Sequence, residues 1–238
     1  MNKKRVIEGV WMSAATMQAA STCGVFDSPF FEAKKPVVVD KIALDRMFAQ
    51  PVVHQGIVVK AQPLSSPPLS DLRQNGQASQ VVVVLDQVTD PQNVGSILRL
   101  CRAFNADGMI MTAAHAPPET GAMAKVASGA LEFVPRYIVP NLAHAVRQLK
   151  TYGFWVVGLA ERGGESIRDV NLTGKIALVL GSEGSGMRKL TLDLCDFKAF
   201  LPTCPSFSTL NVTTAAAISL YEAFLAQHLE KRSPLCGA

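Results

Sequence analysis

Three short segments of this 238-residue chain carry side chains that could do chemistry. The first is Asn93, Gly95 and Arg99, with Arg102 one turn further on. An amide and a guanidinium on one helix can hold an anion and orient a hydroxyl. Arg99 is also flanked by Leu98 and Leu100, which puts it near the edge of a buried stripe, where a solvated or snorkelling arginine is the competing reading. The second segment is Gly181-Ser182-Glu183-Gly184-Ser185-Gly186, whose glycines let backbone amides approach a ligand. Its G-x-x-G-x-G spacing is neither the dinucleotide fingerprint nor a P-loop, so an ordinary tight strand-to-helix turn competes with ligand binding. The third runs Leu201-Pro202-Thr203-Cys204-Pro205-Ser206-Phe207-Ser208-Thr209-Leu210-Asn211 and delivers hydroxyls and an amide straight into a helix. Ser208, Thr209 and Asn211 are either site residues or caps, with Asn211 at the N-cap.

The elements that must position these groups follow from hydrophobic periodicity. Val81-Val82-Val83-Val84-Leu85 is a continuous aliphatic run, as in a strand buried on both faces of a parallel sheet. Asp90 caps the next helix and Pro91 suits its first turn, while Val94, Ile97, Leu98, Cys101 and Phe104 form one apolar stripe. The same reasoning predicts strand 108–112, helix 119–128, strand 136–139, helix 141–151, strand 154–159, strand Lys175–Leu180, a short helix near Gly186–Leu194, strand Ala199–Leu201 and a closing helix from Asn211 to about Glu230. Strands alternating with helices imply an α/β fold, a parallel sheet with helices on both faces. In such sheets ligands bind beyond the carboxyl ends of the strands. All three polar segments leave strands at that edge, so one shared site is the simplest reading.

Ahead of this domain, Val37–Val39 and Gln55–Val59 read as short strands around a helix at Lys41–Phe48, giving a short N-terminal α+β segment over residues 1–61. Residues 62–79 carry Pro63, Pro67, Pro68, several serines and Gly76, and read as a linker. The α/β domain is expected over 80–232, with a tail at 233–238.

Composition removes several classes. With 48% hydrophobic and 18% charged residues, neither a disordered nor a collagen-like chain fits. No apolar run is long enough for a transmembrane helix. Lys3-Lys4-Arg5 imitates the start of a secretory signal, but Glu8 interrupts it and Ala20-Ser21-Thr22-Cys23 lacks the aliphatic residue that precedes a lipidated cysteine. A soluble or loosely ordered start is therefore expected. Cys23, Cys101, Cys195, Cys204 and Cys236 form no C-x-x-C pair and no Cys/His group at zinc spacing, which points to a reducing, cytoplasmic setting without a metal. His54, His115, His144 and His228 lack triad partners, which disfavours a triad hydrolase and leaves them structural. The net charge of +4 is uneven: residues 1–80 hold nine Lys or Arg against six Asp or Glu, and the rest fourteen against thirteen. A nucleic-acid partner is permitted, not demanded.

Taken together, the three segments resemble the three motifs of the SpoU-type (TrmH-like) branch of the SPOUT RNA methyltransferases. The matching residues are Asp86-Gln-Val-Thr-Asp-Pro-Gln-Asn93-Val-Gly95 through Arg99, Leu178-Val-Leu-Gly181-Ser-Glu183-Gly184-Ser-Gly186-Met187, and Ser208-Thr-Leu-Asn211-Val212. The likeness covers about residues 80–226, including Lys125-Val-Ala-Ser-Gly-Ala130. His54-Gln-Gly-Ile57 resembles the end of the substrate-binding domain of ribosomal-RNA guanosine 2′-O-methyltransferases in this branch.

The resemblance implies a C-terminal trefoil knot, S-adenosylmethionine as cofactor, and a homodimer with sites at the subunit interface. It implies cofactor contacts around Gly181, Leu201 and Leu210, with Glu183 and Gly184 shaping the loop. Asn93, Arg99, Glu183, Thr209 and Asn211 would line the reacting site. Arg99 is the residue this family associates with deprotonating the ribose 2′-OH; because arginine stays charged at neutral pH, its expected work is to grip the adjacent phosphate and polarise the hydroxyl. Thr209 stands where the family usually has Ser, and Pro205 where glycine is common, which removes a backbone donor from the loop. The N-terminal segment reads as a shortened form of the family's RNA-gripping domain. The expected activity is 2′-O-ribose methylation of structured RNA, with ribosomal RNA ahead of transfer RNA. A weakly catalytic RNA-binding dimer is opposed by the intact Asn93, Arg99, Glu183 and Asn211. A nucleotide enzyme on an ordinary doubly wound fold would need a Gly-rich loop after the first strand, which Asp86–Asn93 does not supply.

Overall fold

The computed structural model describes residues 5–24, 26, 35–74, 76–204, 206 and 209–229. Pro205, Ser208, Glu230, Cys236 and the tail at 233–238 lie outside the described residues. Two compact units divide the chain at Ser65 and Ser66.

In the first unit, β1 (Ile7–Met12) is central in a three-stranded sheet, with β2 (Val37–Val38) parallel on one side and β3 (Ile57–Ala61) antiparallel on the other. Val10 and Met12 of β1 are buried. Helix α1 (Ala14–Thr22) starts where the Ser13 hydroxyl accepts from the Thr16 N–H, and α2 (Lys41–Asp45) where Asp40 accepts from the Ala43 N–H. The Gly56 N–H donates to His54 Nδ1 at 3.0 Å, so Nε2 carries the proton and donates to Asp45 Oδ1 at 3.0 Å. In the start expected to be soluble or loosely ordered, residues 7–22 hold a strand and a capped helix. Their Ala, Ser, Thr and Met content lacks a strong period, but β1 gains both neighbours of its sheet.

The second unit is a seven-stranded sheet in which every pairing is parallel, in the order β6-β5-β4-β9-β7-β10-β8. A short helix, α3 (Asp71–Gln74), precedes β4 (Gln80–Asp86), which is buried along its whole length. Then follow α4 (Pro91–Ala103), β5 (Gly108–Thr112), α5 (Gly121–Ala127), β6 (Arg136–Val139), α6 (Leu142–Thr151), β7 (Trp155–Leu159), β8 (Glu165–Ser166), β9 (Lys175–Gly181), α7 (Lys189–Asp193), β10 (Phe197–Phe200) and α8 (Val212–Leu229). Alternate residues of β4 feed two cores, as a period of two requires. Val81, Val83 and Leu85 face α4, α5 and α8, whereas Val82 and Val84 face α6 and α3. Helices therefore cover both faces, as the alternation predicted. Leu69 and Leu72, inside the stretch read as a linker, are buried in the second core. Proline and serine broke the periodicity there without preventing two leucines from packing.

The central helix is fixed from both ends of its sequence. Asp90 accepts from the Gln92 N–H at 3.0 Å with Pro91 in the first turn. A Cβ at Gly95 would stand 2.8 Å from the Met123 carbonyl oxygen, so glycine is what lets α4 lie against α5. Arg99 is exposed on α4, the solvated placement that competed with one at the edge of the buried stripe, and makes no hydrogen bond or ion pair among the described residues.

One buried charge ties the sheet to the loop that follows β9. Asp86, the last residue of β4, is fully buried, and its Oδ1 accepts from Arg188 Nε at 2.7 Å while Oδ2 accepts from the Arg188 backbone N–H at 2.9 Å. A charge out of water needs such partners, and the guanidinium brings two nitrogens to one oxygen, Nη2 also lying 2.7 Å from Oδ1. Replacing Arg188 by Met keeps the stem but strands the carboxylate; urea unfolding should show a loss of about 3 kcal/mol. The thiols give a second check. Burial pushes Cys101 up to about 12 and Cys195 up to about 11, while Cys23 and Cys204 are exposed. Iodoacetamide at about pH 8 should therefore modify Cys23 and Cys204 in the native protein and reach Cys101 only after unfolding, as read by peptide mass spectrometry.

Candidate functional site

β4 and β9 run side by side in register, Asp86 opposite Gly181, and their carboxyl ends open into one site. The loop after β9 closes on itself. Ser182 and Gly186 exchange backbone hydrogen bonds of 3.1 and 2.9 Å, and the Ser182 and Ser185 hydroxyls meet at 2.6 Å. A Cβ at Gly181 would lie 2.1 Å from the Gly186 carbonyl carbon, so this strand end must be glycine for the loop to fold back over it. Gly184 and Gly186 sit at positive φ, which leaves Glu183 near the tip.

Beside that loop lies a cavity of about 430 Å³. Leu180, Leu201, Val212 and Ala215 give it apolar walls; Leu159, Ala160 and Glu161 after β7 close another side. The start of α8 forms the remaining wall, where Asn211 Oδ1 accepts from the Thr214 N–H at 2.7 Å and thereby caps the helix. Two carboxylates, Glu161 and Glu183, line the space, so its electrostatic bias favours a cationic ligand.

The structure brings most of the sequence-selected residues together. Gly181, Glu183, Gly184, Leu201, Thr209, Leu210 and Asn211 all line this cavity. Asn93 joins them through a hydrogen bond: its Nδ2 donates to Glu183 Oε1 at 3.2 Å. Arg99, two turns further along α4, is not among the lining residues. Three contributors escaped the sequence reading. Residues 159–161 were foreseeable, because strand β7 ends at the same sheet edge. The Asp86–Arg188 pair was not, since the two are far apart in sequence and either alone reads as surface charge. Nor was Thr213, whose hydroxyl donates to Asn93 Oδ1 at 3.2 Å and which looked like an ordinary residue of a helix start.

Known proteins share both the motifs and this architecture. The sequence profile of the SpoU rRNA methylase family matches residues 80–221. A 23S rRNA (guanosine-2′-O-)-methyltransferase, RlmB, of Ralstonia nicotianae is 40% identical over 171 residues, covering 71% of this chain and 69% of that protein. Its namesake in Pasteurella multocida is 40% identical over 188 residues, covering 77% and 76%. In fold, the chain resembles the SpoU methyltransferase AviRb from Streptomyces viridochromogenes, solved in complex with AdoMet, with a TM-score of 0.76, 22% identity, and coverage of 92% of this chain and 83% of that one. With a profile match over more than half its length, and relatives matched over more than two thirds of theirs, the chain belongs to the SpoU rRNA methylase family.

Proposed function

We propose that this protein transfers the methyl group of S-adenosylmethionine to a ribose 2′-OH of ribosomal RNA, 23S rRNA in the first place. The observation that carries the reading is the cavity at the ends of β7, β9 and β10, with Asn93 hydrogen-bonded to the Glu183 that lines it. Its volume of about 430 Å³ falls in the range that small-molecule sites occupy. Apolar walls suit a flat heteroaromatic ring, and the carboxylates of Glu161 and Glu183 suit a ligand bearing ammonium and sulfonium charges. The backbone around Gly181, Leu201 and Leu210 would hold the cofactor, with Glu183 and Gly184 shaping the loop. When bound, S-adenosylmethionine supplies an electrophilic methyl group on a positively charged sulfur.

The chain's own residues then orient and activate the acceptor. Asn93 and Asn211 present amides, and Thr209 a hydroxyl, to a ribose hydroxyl brought in line with that methyl group. Arg99 grips the adjacent phosphate and, by its fixed positive charge, polarises the hydroxyl. Because Arg99 is free on α4 among the described residues, it is available to an incoming phosphate.

The same reading includes a deep trefoil knot near the C-terminus. Its support is the strand order: β9 enters between β4 and β7, and β10 between β7 and β8, so late segments are inserted among earlier ones. It also includes a homodimer with sites at the subunit interface, supported by the exposed apolar area of Phe133, Ile218 and Tyr221 and by the place of Arg99 outside its own chain's cavity lining. The N-terminal segment, residues 1–61, adds RNA affinity; the excess of Lys and Arg in residues 1–80 supports this. A cytoplasmic location goes with such a substrate. Among the described residues, no helix is long and apolar enough to cross a membrane.

Mapping 2′-O-methyl groups in 23S rRNA and in tRNA, from cells with and without the protein, tests the reaction and its target. A ribose methylation missing from 23S rRNA is expected; one missing only from tRNA would move the substrate, and none missing would refute the activity. Arg99→Ala should lower turnover by about 100-fold or more while calorimetric affinity for S-adenosylmethionine stays within about threefold; equal turnover would remove Arg99 from the reaction. Gly181→Val should abolish cofactor binding, because its side chain would meet backbone atoms of Gly186 and Met187.

A further inference from the structure

We infer that Thr213 is a positioning residue for the methyl-transfer site, acting through Asn93 on Glu183. The inference rests on the function proposed above for its consequence in turnover, but on geometry alone for the arrangement itself. Thr213 sits in the first turn of α8, Asn93 in the first turn of α4, and Glu183 in the loop after β9, so three separate segments meet in one hydrogen-bonded chain.

The direction of that chain is fixed by chemistry. An ionised carboxylate can only accept, so the Asn93 group facing Glu183 Oε1 at 3.2 Å is its NH₂. Asn93 Oδ1 then faces α8, and the Thr213 hydroxyl, 3.2 Å away, must be the donor. Turning the amide over would set its oxygen against the carboxylate. A threonine hydroxyl near a helix start commonly bonds its own helix backbone; here it crosses to a neighbouring helix instead. Thr213 is half-buried, and its neighbour Val212 is fully so, which anchors the hydroxyl.

What Thr213 supplies is a single orientation of Asn93. With it, Asn93 offers Nδ2 to Glu183 and holds the carboxylate at the cavity wall. Without it, Oδ1 has no donor, the amide rotates, and Glu183 loses a fixed partner.

The test compares Thr213→Val, which keeps the shape and removes the hydroxyl, with Thr213→Ser, which restores it. Thr213→Val is expected to lower kcat about tenfold and to leave KM for S-adenosylmethionine within about twofold. Thr213→Ser is expected to stay within about twofold of the parent. Combined with Asn93→Ala, Thr213→Val should add little further loss, because both act along one path. A readout independent of turnover is the Asn93 side-chain amide in ¹⁵N-correlated NMR spectra. The Asn93 Nδ2–H signals are expected at the same chemical shifts in the parent and in Thr213→Ser, and at clearly displaced shifts in Thr213→Val. An unaltered Asn93 amide in Thr213→Val would overturn the inference whether or not the protein methylates RNA. Full additivity with Asn93→Ala, or a Thr213→Ser as impaired as Thr213→Val, would do the same. Should Thr213→Val fail to fold, Thr213→Ala serves for the same NMR comparison.

Discussion

A single buried carboxylate organises the site. Asp86 ends β4 with no exposed surface, in a place where an unpartnered charge would cost several kcal/mol. Its partner, Arg188, arrives from the far side of the loop that leaves β9, giving both its side chain and its backbone N–H. The loop from Ser182 to Met187 is thereby held at both ends: by register where Gly181 lies opposite Asp86, and by the ion pair where Arg188 returns to the same residue. Everything that hangs from the loop inherits this closure, including the turn at Gly184 and the carboxylate of Glu183. Two adjacent strands and one charge pair thus replace what would otherwise be a mobile glycine-rich segment.

Work in the site is divided between walls and hinges. The walls are apolar and come from strand ends and from the first turns of α8, elements fixed by the main core through Leu180, Val212 and Ala216. The polar groups are few, and each is held by another part of the chain: Asn211 by its own helix start, and Asn93 and Glu183 by one another. Arg99 is the exception, an exposed cation with no partner among the described residues. That contrast fits the division of labour proposed, in which the cofactor meets a preformed surface and the RNA brings the phosphate that completes the arginine's surroundings.

Much of this was legible in the sequence because local rules decide it. The run Val81–Leu85 could only be a buried strand, the stripe from Val94 to Cys101 could only be one face of a helix, and Asp90 capped that helix as expected. Recognising that the three polar segments leave strands at a common edge was enough to gather Gly181, Glu183, Leu201 and Asn211 into one site. What local pattern does not contain is adjacency across the sheet. Nothing in β7 or β9 announces that β9 slips between β4 and β7, nor that β8, only two residues long, would find β10. Leu69 and Leu72 were hidden among prolines that break any period. Thr213 and Arg188 were hidden because their partners lie on elements that only the fold brings near. Arg99 was ambiguous by pattern, since its apolar neighbours allowed the edge of the buried stripe and its charge a solvated place; its side chain is exposed.

The placement of β9 at the middle of the sheet bears on when this protein becomes a protein. During synthesis β4 emerges early and gains β5 on one side, but its other edge waits until β5, β6, β7 and β8 have all been made. Pairings between such distant segments close late and slowly, since chain entropy opposes them until the contacts form. The Asp86 pair and the Glu183 loop depend on that late insertion, and the cavity also needs the end of β10 and the start of α8, so a chain that stops before β9 holds none of them. Competence to bind a small molecule would then serve as a readout of completed folding, acquired in one step at the end rather than accumulated along the way.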